Sequence, residues 1–187
     1  MTELLPMYRI NGPKLADILK PGIEHTIFGD NNKNRYTQYL PAEEVFSKEF
    51  LSSKWMGFDW TRTIVFYKTG GEDGGIHIDN GTPNKCEWGV NWVVSGHGAI
   101  QFWRNSDVKF LEMVNEHHTF NSDALPFFAT SNTINDSPYL INANVPHSAL
   151  GVNRFAVTLR LGHPHDPNLW NQPWETVVER FKDIIIK

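Results

Sequence analysis

Hydrophobic positions along the chain change their spacing twice, from helical to alternating and back to helical. Residues 13–20 carry Leu15, Ile18 and Leu19 at helical spacing and run into Pro21-Gly22, which predicts a short amphipathic helix ending at that breaker. Residues 41–51 put Pro41 at a first helical position, Glu43 and Glu44 in the first turn, and Val45, Phe46, Phe50 and Leu51 on one apolar stripe, which predicts a second helix. The polar run between them, residues 29–35, reads as a loop.

After Trp60 the period becomes that of strands. Segments 63–67, 75–79, 88–94, 98–103, 109–114, 139–143, 147–150 and 154–161 are short, rich in β-branched and aromatic residues, and bounded by turn formers. Residues 121–136 read as a long loop, of the kind that serves as a lid in compact domains. Beyond Asn171 or Pro173 the helical period returns, with Trp174, Val177, Val178, Phe181, Ile184 and Ile185 on one face. Strands in this number, with no helices between them, predict a mainly β fold with flanking helices: a cupin-like jelly roll with the N-terminal and C-terminal helices packed on one sheet. The other sheet and the barrel mouth are then left for chemistry.

Composition narrows the function classes. The 187 residues are read as a single domain, 1–187, and 40% hydrophobic with 13% aromatic content places the chain among globular proteins rather than disordered ones. A net charge of −4 gives no general attraction to phosphate backbones or anionic lipid, so nucleic-acid and membrane partners are disfavoured and a small-molecule or peptide substrate is expected. Cys86 stands alone, so no internal disulfide points to an oxidising compartment. The first residues show no basic segment followed by an apolar run, and a cytoplasmic location is expected.

The candidate chemistry lies in residues 67–81, where a glycine-rich turn delivers His77-Ile78-Asp79. A His and an Asp two apart in extended backbone point to one side of a strand and serve one ion without strain. His147 follows Pro146 and opens a strand at the rim, so it completes the set. Two His and one Asp on one face of an octahedral ion leave three positions open, the arrangement of non-haem Fe(II) oxygenases, although the ligand types also suit zinc. With a tight turn at Gly151-Val152, Arg154 falls on the face of His147 and points inward, and Thr158 and Arg160 share that face. An inward guanidinium in an aromatic-rich barrel suits a carboxylate bidentately, so a carboxylate-bearing cosubstrate is expected. The rival clusters are weaker: prolines hold His163-Pro164-His165-Asp166 in a turn, and His117 and His118 face opposite ways on a strand.

In order, Tyr67, the glycine-rich turn, His77-Ile78-Asp79, His147 and Arg154-Phe155-Ala156-Val157-Thr158 resemble the Fe(II) and 2-oxoglutarate dependent oxygenases, in their prolyl-hydroxylase-type branch, over roughly residues 60–162. The resemblance implies a double-stranded β-helix core, Fe(II) held by His77, Asp79 and His147, and 2-oxoglutarate and O2 as cosubstrates. It also implies that Arg154, with Thr158 and Tyr67, fixes the far carboxylate of 2-oxoglutarate, and that the chain is a dioxygenase hydroxylating its substrate with release of succinate and CO2. Arg154 and Arg160 form an Arg-x5-Arg pair similar to that of the AlkB-type nucleic-acid demethylases, which leaves Arg160 as a second candidate for the cosubstrate. A non-catalytic jelly roll that binds a metal or another ligand is the alternative from a different class.

Overall fold

A computed structural model of the chain describes residues 4–23, 35–68, 75–79, 87–114, 117–132, 137–160 and 173–186. Two long antiparallel strands organise it: β5 (Trp88–Phe102) and β10 (His147–Arg160) pair from His147 opposite Phe102 to Arg160 opposite Gly89. The register shifts between Val152 and Phe155 and again between Phe155 and Ala156. The other strands are β1 (Met7–Arg9), β2 (Arg35–Pro41), β3 (Arg62–Lys68), β4 (Ile76–Ile78), β6 (Lys109–Val114), β7 (His117–Asn121), β8 (Phe128–Asn132) and β9 (Tyr139–Asn142).

These strands attach to the ribbon in two groups. Before the register shift, β10 lies between the second half of β5, which carries β8, and β4, which carries β7 and β6. After it, β10 lies between the first half of β5, which carries β9 and β1, and β3, which carries β2. A straight strand of 14 residues would be roughly 45 Å long. Yet Asp79 contacts Arg160 at one end of β10, at 2.5 Å, and clusters with His147 at the other, ligand atoms within 4.8 Å. The ribbon therefore bends back and stacks the two groups face to face. Gly96, with a φ of 74°, lies in the bend, and a Cβ on Gly98 would stand 2.1 Å from the Leu150 carbonyl oxygen, a separation only glycine permits. The result is an antiparallel jelly roll with flanking helices, the expected fold class.

Burial follows from alternation along the ribbon. Phe155, Val157 and Leu159 of β10, with Trp88, Val90 and Trp92 of β5 and Leu140 of β9, turn to the outer side of one layer. There they meet Ile18 of α1 (Leu15–Ile18), Val45 of α2 (Ala42–Val45), Phe50 of α3 (Lys48–Ser52) and Trp174, Val177 and Phe181 of α4 (Trp174–Phe181). The helices thus cover one sheet, as the apolar stripes required. A smaller cluster of Met7, Ile100, Phe102, Tyr139 and Ile141 fills the space between the layers.

Several elements differ from the reading of the sequence. Segments 88–94 and 98–103 are one strand, as are 147–150 and 154–161, because a bend and a register shift change direction without ending the pairing. The tight turn expected at Gly151-Val152 is part of that continuous strand. The long loop expected over 121–136 contains β8, which adds to β5 from Phe128 opposite Phe102 to Asn132 opposite Gly98. The helix expected over 41–51 is split at extended Phe46, and Ser47 restarts it by accepting the Phe50 amide at 3.2 Å.

Candidate functional site

Strand pairing brings the two histidines together: His77 of β4 stands directly opposite His147 of β10, their rings 4.5 Å apart between centroids. Asp79 follows β4 immediately, and its amide donates to the Ala143 carbonyl at 3.2 Å. Asp79 is 6% exposed. Each histidine is fixed from behind, His77 Nδ1 lying 2.9 Å from the Gly75 carbonyl oxygen and His147 Nδ1 2.9 Å from that of Val145. A carbonyl accepts only from N–H, so each ring turns an Nδ1–H back to the backbone and leaves Nε2 facing the site, the orientation of metal-ligating histidines. Burial, followed by the nearby His77, pushes His147 down to about 4 despite the opposing Asp79 carboxylate, so its imidazole is neutral near neutral pH. Two imidazole nitrogens and a carboxylate oxygen within 4.8 Å of one another fit the donor set of a divalent transition-metal ion.

The two oxygens of Asp79 face different partners. Oδ1 lies 3.5 Å from His77 Nε2, while Oδ2 accepts from Arg160 Nη2 at 2.5 Å. Arg160 also donates through Nη1 to Glu87 Oε2, and Glu87 Oε1 accepts from Arg62 Nη2 at 2.8 Å. Charges thus alternate along Asp79, Arg160, Glu87 and Arg62, the first three buried. Burial alone would lower Arg160, but Asp79 and then Glu87 outweigh it and raise its affinity for the proton. Tyr39 stands at the rim of this group, where burial of its hydroxyl and then Asp79 push its pKa up.

Arg154 is in a different position. It is 7% exposed, its Nε has no acceptor, and among the described residues no carboxylate pairs with it. Burial pushes its guanidinium down to about 10. Its stem runs over glycine: a Cβ on Gly151 would lie 2.7 Å from Arg154 Cβ, and one on Gly98 would lie 3.0 Å from Arg154 Cδ. Gly151 and Arg154 therefore project to the same side. Because His147, Ala149 and Gly151 alternate along the strand, that side is the side of His147. The extra residue at the register shift, not a turn, sets this direction.

Among the residues singled out from sequence, His77, Asp79 and His147 are brought together, with Arg160 joined through Asp79. Thr158 is buried and donates its hydroxyl to Asn91 Oδ1 at 2.9 Å. Tyr67 stands opposite Phe155 in β3, and its side chain lies outside the described residues. The rival cluster His163-Pro164-His165-Asp166 also lies outside them. Glu87 and Arg62 were not foreseen. Their one sequence signal is charge at strand starts, Glu87 just before the apolar opening of β5 and Arg62 at the first position of β3.

No family model matches the chain, and no curated protein matches it. Among solved structures it is similar to vicilin from Corylus avellana (hazelnut), at 11% identity and a TM-score of 0.39 over 71% of this chain and 30% of that one. It is similar to E. coli ycfD at 10% identity and a TM-score of 0.39, over 65% of this chain and 28% of that one. For CapF with the inhibitor 3-isopropenyl-tropolone the values are 18%, 0.29, 57% and 25%. The chain spans less than a third of the length of each of these structures. Overlaps this shallow carry nothing about function, and the architecture stands on the strand pairing itself. Among the described residues, no helix is long and apolar enough to cross a membrane.

Proposed function

We propose that the protein is a non-haem Fe(II) and 2-oxoglutarate dependent dioxygenase that hydroxylates a small-molecule or peptide substrate. His77 and His147 through Nε2, and Asp79 through Oδ1, would hold the iron, and Arg154 would receive the far carboxylate of 2-oxoglutarate. The observation that carries the reading is Arg154 itself: a buried guanidinium with no anionic partner among the described residues is costly, and a bidentate carboxylate is the ligand its fork fits. Arg160 already holds Asp79 and Glu87, so Arg154 is preferred to it as the cosubstrate arginine.

When bound, iron supplies the redox chemistry that couples oxidative decarboxylation of 2-oxoglutarate by O2, giving succinate and CO2, to conversion of a substrate C–H bond to C–OH. The chain's own contribution is geometric. The Gly75 and Val145 carbonyls hold the imidazoles in the ligating tautomer. Phe102, 5.8 Å from His147 between ring centroids, and Ile100 form a dry wall beside them. The test is a titration of 2-oxoglutarate into the anaerobic Fe(II) protein, followed by the metal-to-ligand charge-transfer band, together with succinate release on admitting O2. Absence of both would leave a metal-binding jelly roll without this activity.

A further inference from the structure

Glu87 belongs to none of the expected site residues, yet it sits one side chain removed from the candidate metal ligand. Arg160 divides its fork, Nη1 to Glu87 Oε2 and Nη2 to Asp79 Oδ2. The unoccupied preference of a guanidinium beside a carboxylate is the parallel, two-bond arrangement in which both nitrogens take both oxygens of one acid. At Asp79 that arrangement would turn Oδ1 away from His77 and remove it from the ligand set. Glu87, 3% exposed and bonded on its other oxygen to Arg62, is placed so that it draws Nη1 away.

We propose that Glu87 is a positioning residue for the metal centre: by holding Arg160 Nη1, it limits Arg160 to one oxygen of Asp79 and keeps the other turned toward His77 and His147. This rests on the reading of His77, Asp79 and His147 as the metal site and adds the device that keeps Asp79 available to the ion. Gly89 supports the same geometry from below. A Cβ there would stand 3.0 Å from Arg160 Cγ and 2.8 Å from Thr158 Cγ2, so the glycine gives the Arg160 stem the room it needs to reach between two acids.

The device has a signature that a merely structural salt bridge lacks. In Glu87→Gln, a neutral amide oxygen holds Arg160 only about half as strongly, so the fork shifts to Asp79 and metal affinity falls although no ligand has changed. The expected loss is about 10-fold to 100-fold, the range seen when partners of metal ligands are removed. Adding Arg160→Met removes the competing fork, so the double variant Glu87→Gln/Arg160→Met binds metal more tightly than Glu87→Gln alone. The probe is Co(II), added to the protein and followed by its visible absorption, with a thermal melt of each metal-free variant to confirm folding. Equal Co(II) affinity in wild type and Glu87→Gln overturns the inference and leaves the metal site standing. A double variant that binds as weakly as Glu87→Gln, or more weakly, overturns it as well. If His147→Ala binds Co(II) like wild type, the metal site fails and the inference fails with it. Should Glu87→Gln not fold, Arg160→Met is read alone: affinity at or above wild type supports the competing role of Arg160, and a 10-fold loss refutes it.

Discussion

Arg154 lies against two glycines that leave no room for a side chain, Gly98 under its Cδ and Gly151 under its Cβ. Gly98 carries a double constraint, because its missing Cβ would also run into the Leu150 carbonyl of the neighbouring strand. Gly98→Ala must push β5 and β10 apart at the bend, so a loss of about 2 kcal/mol or more is expected, as for overpacked cores. For a chain of this length that lowers Tm by roughly 4–8 °C. A thermal melt checks it, and 2-oxoglutarate affinity should fall in the same variant because Arg154 is displaced.

Replacing Arg154 should separate stability from function. Arg154→Met removes a buried charge that has no anionic partner among the described residues and keeps apolar volume, so the cosubstrate-free protein should gain about 1 kcal/mol or more. Affinity for 2-oxoglutarate should fall by about 2–5 kcal/mol, with Arg154→Lys recovering only part of it for want of the fork. Melts without ligand and anaerobic titrations with it measure the two effects. A wild-type cosubstrate affinity in Arg154→Met would remove Arg154 from the site.

Metal should stabilise the folded protein in proportion to occupancy. At a free ion concentration of 100 Kd the gain is about 2.7 kcal/mol, and His147→Ala should abolish the corresponding rise in Tm. Asp79→Ala differs from it. A rim position for Asp79 would make that substitution harmless to the fold, but the buried carboxylate holds Arg160, so about 3–5 kcal/mol is lost even without metal. Chelator-treated samples distinguish the two variants.

The C-terminal helix contributes to stability through a single residue to a large degree. Phe181 is fully buried, with ring centroids 5.7 Å from Trp55, 6.1 Å from Phe58 and 6.0 Å from Trp88. Phe181→Ala should cost about 3–5 kcal/mol, a drop of roughly 6–20 °C. Since α4 packs on the outer side of the roll, Co(II) affinity of the folded variant should stay near wild type.

Legibility followed the range of the interactions. His77 and Asp79 were readable because two-residue alternation is local, and the apolar stripe of α4 because it repeats within a few residues. Arg154 reaches the side of His147 by an added residue in the strand, which sequence cannot distinguish from a turn at Gly151. The pairing of Glu87 with Arg160 spans 73 residues and that with Arg62 spans 25, so neither left a trace in the order of residues. β8, Phe128-Ala-Thr-Ser-Asn, lacks alternation and is a strand only because β5 offers it an edge.

The bend in the ribbon also has a consequence for how the chain reaches this state. His77, Asp79, Glu87, His147 and Arg160 come from distant parts of the sequence, and closing such large loops is the slow step for β-rich topologies. Until the ribbon doubles back, His147 and Arg160 remain at opposite ends of an open strand pair, and Asp79 cannot meet both. His77, Asp79 and His147 meet when β4 pairs with β10, whereas the grip of Arg160 on Asp79 waits for the ribbon to close.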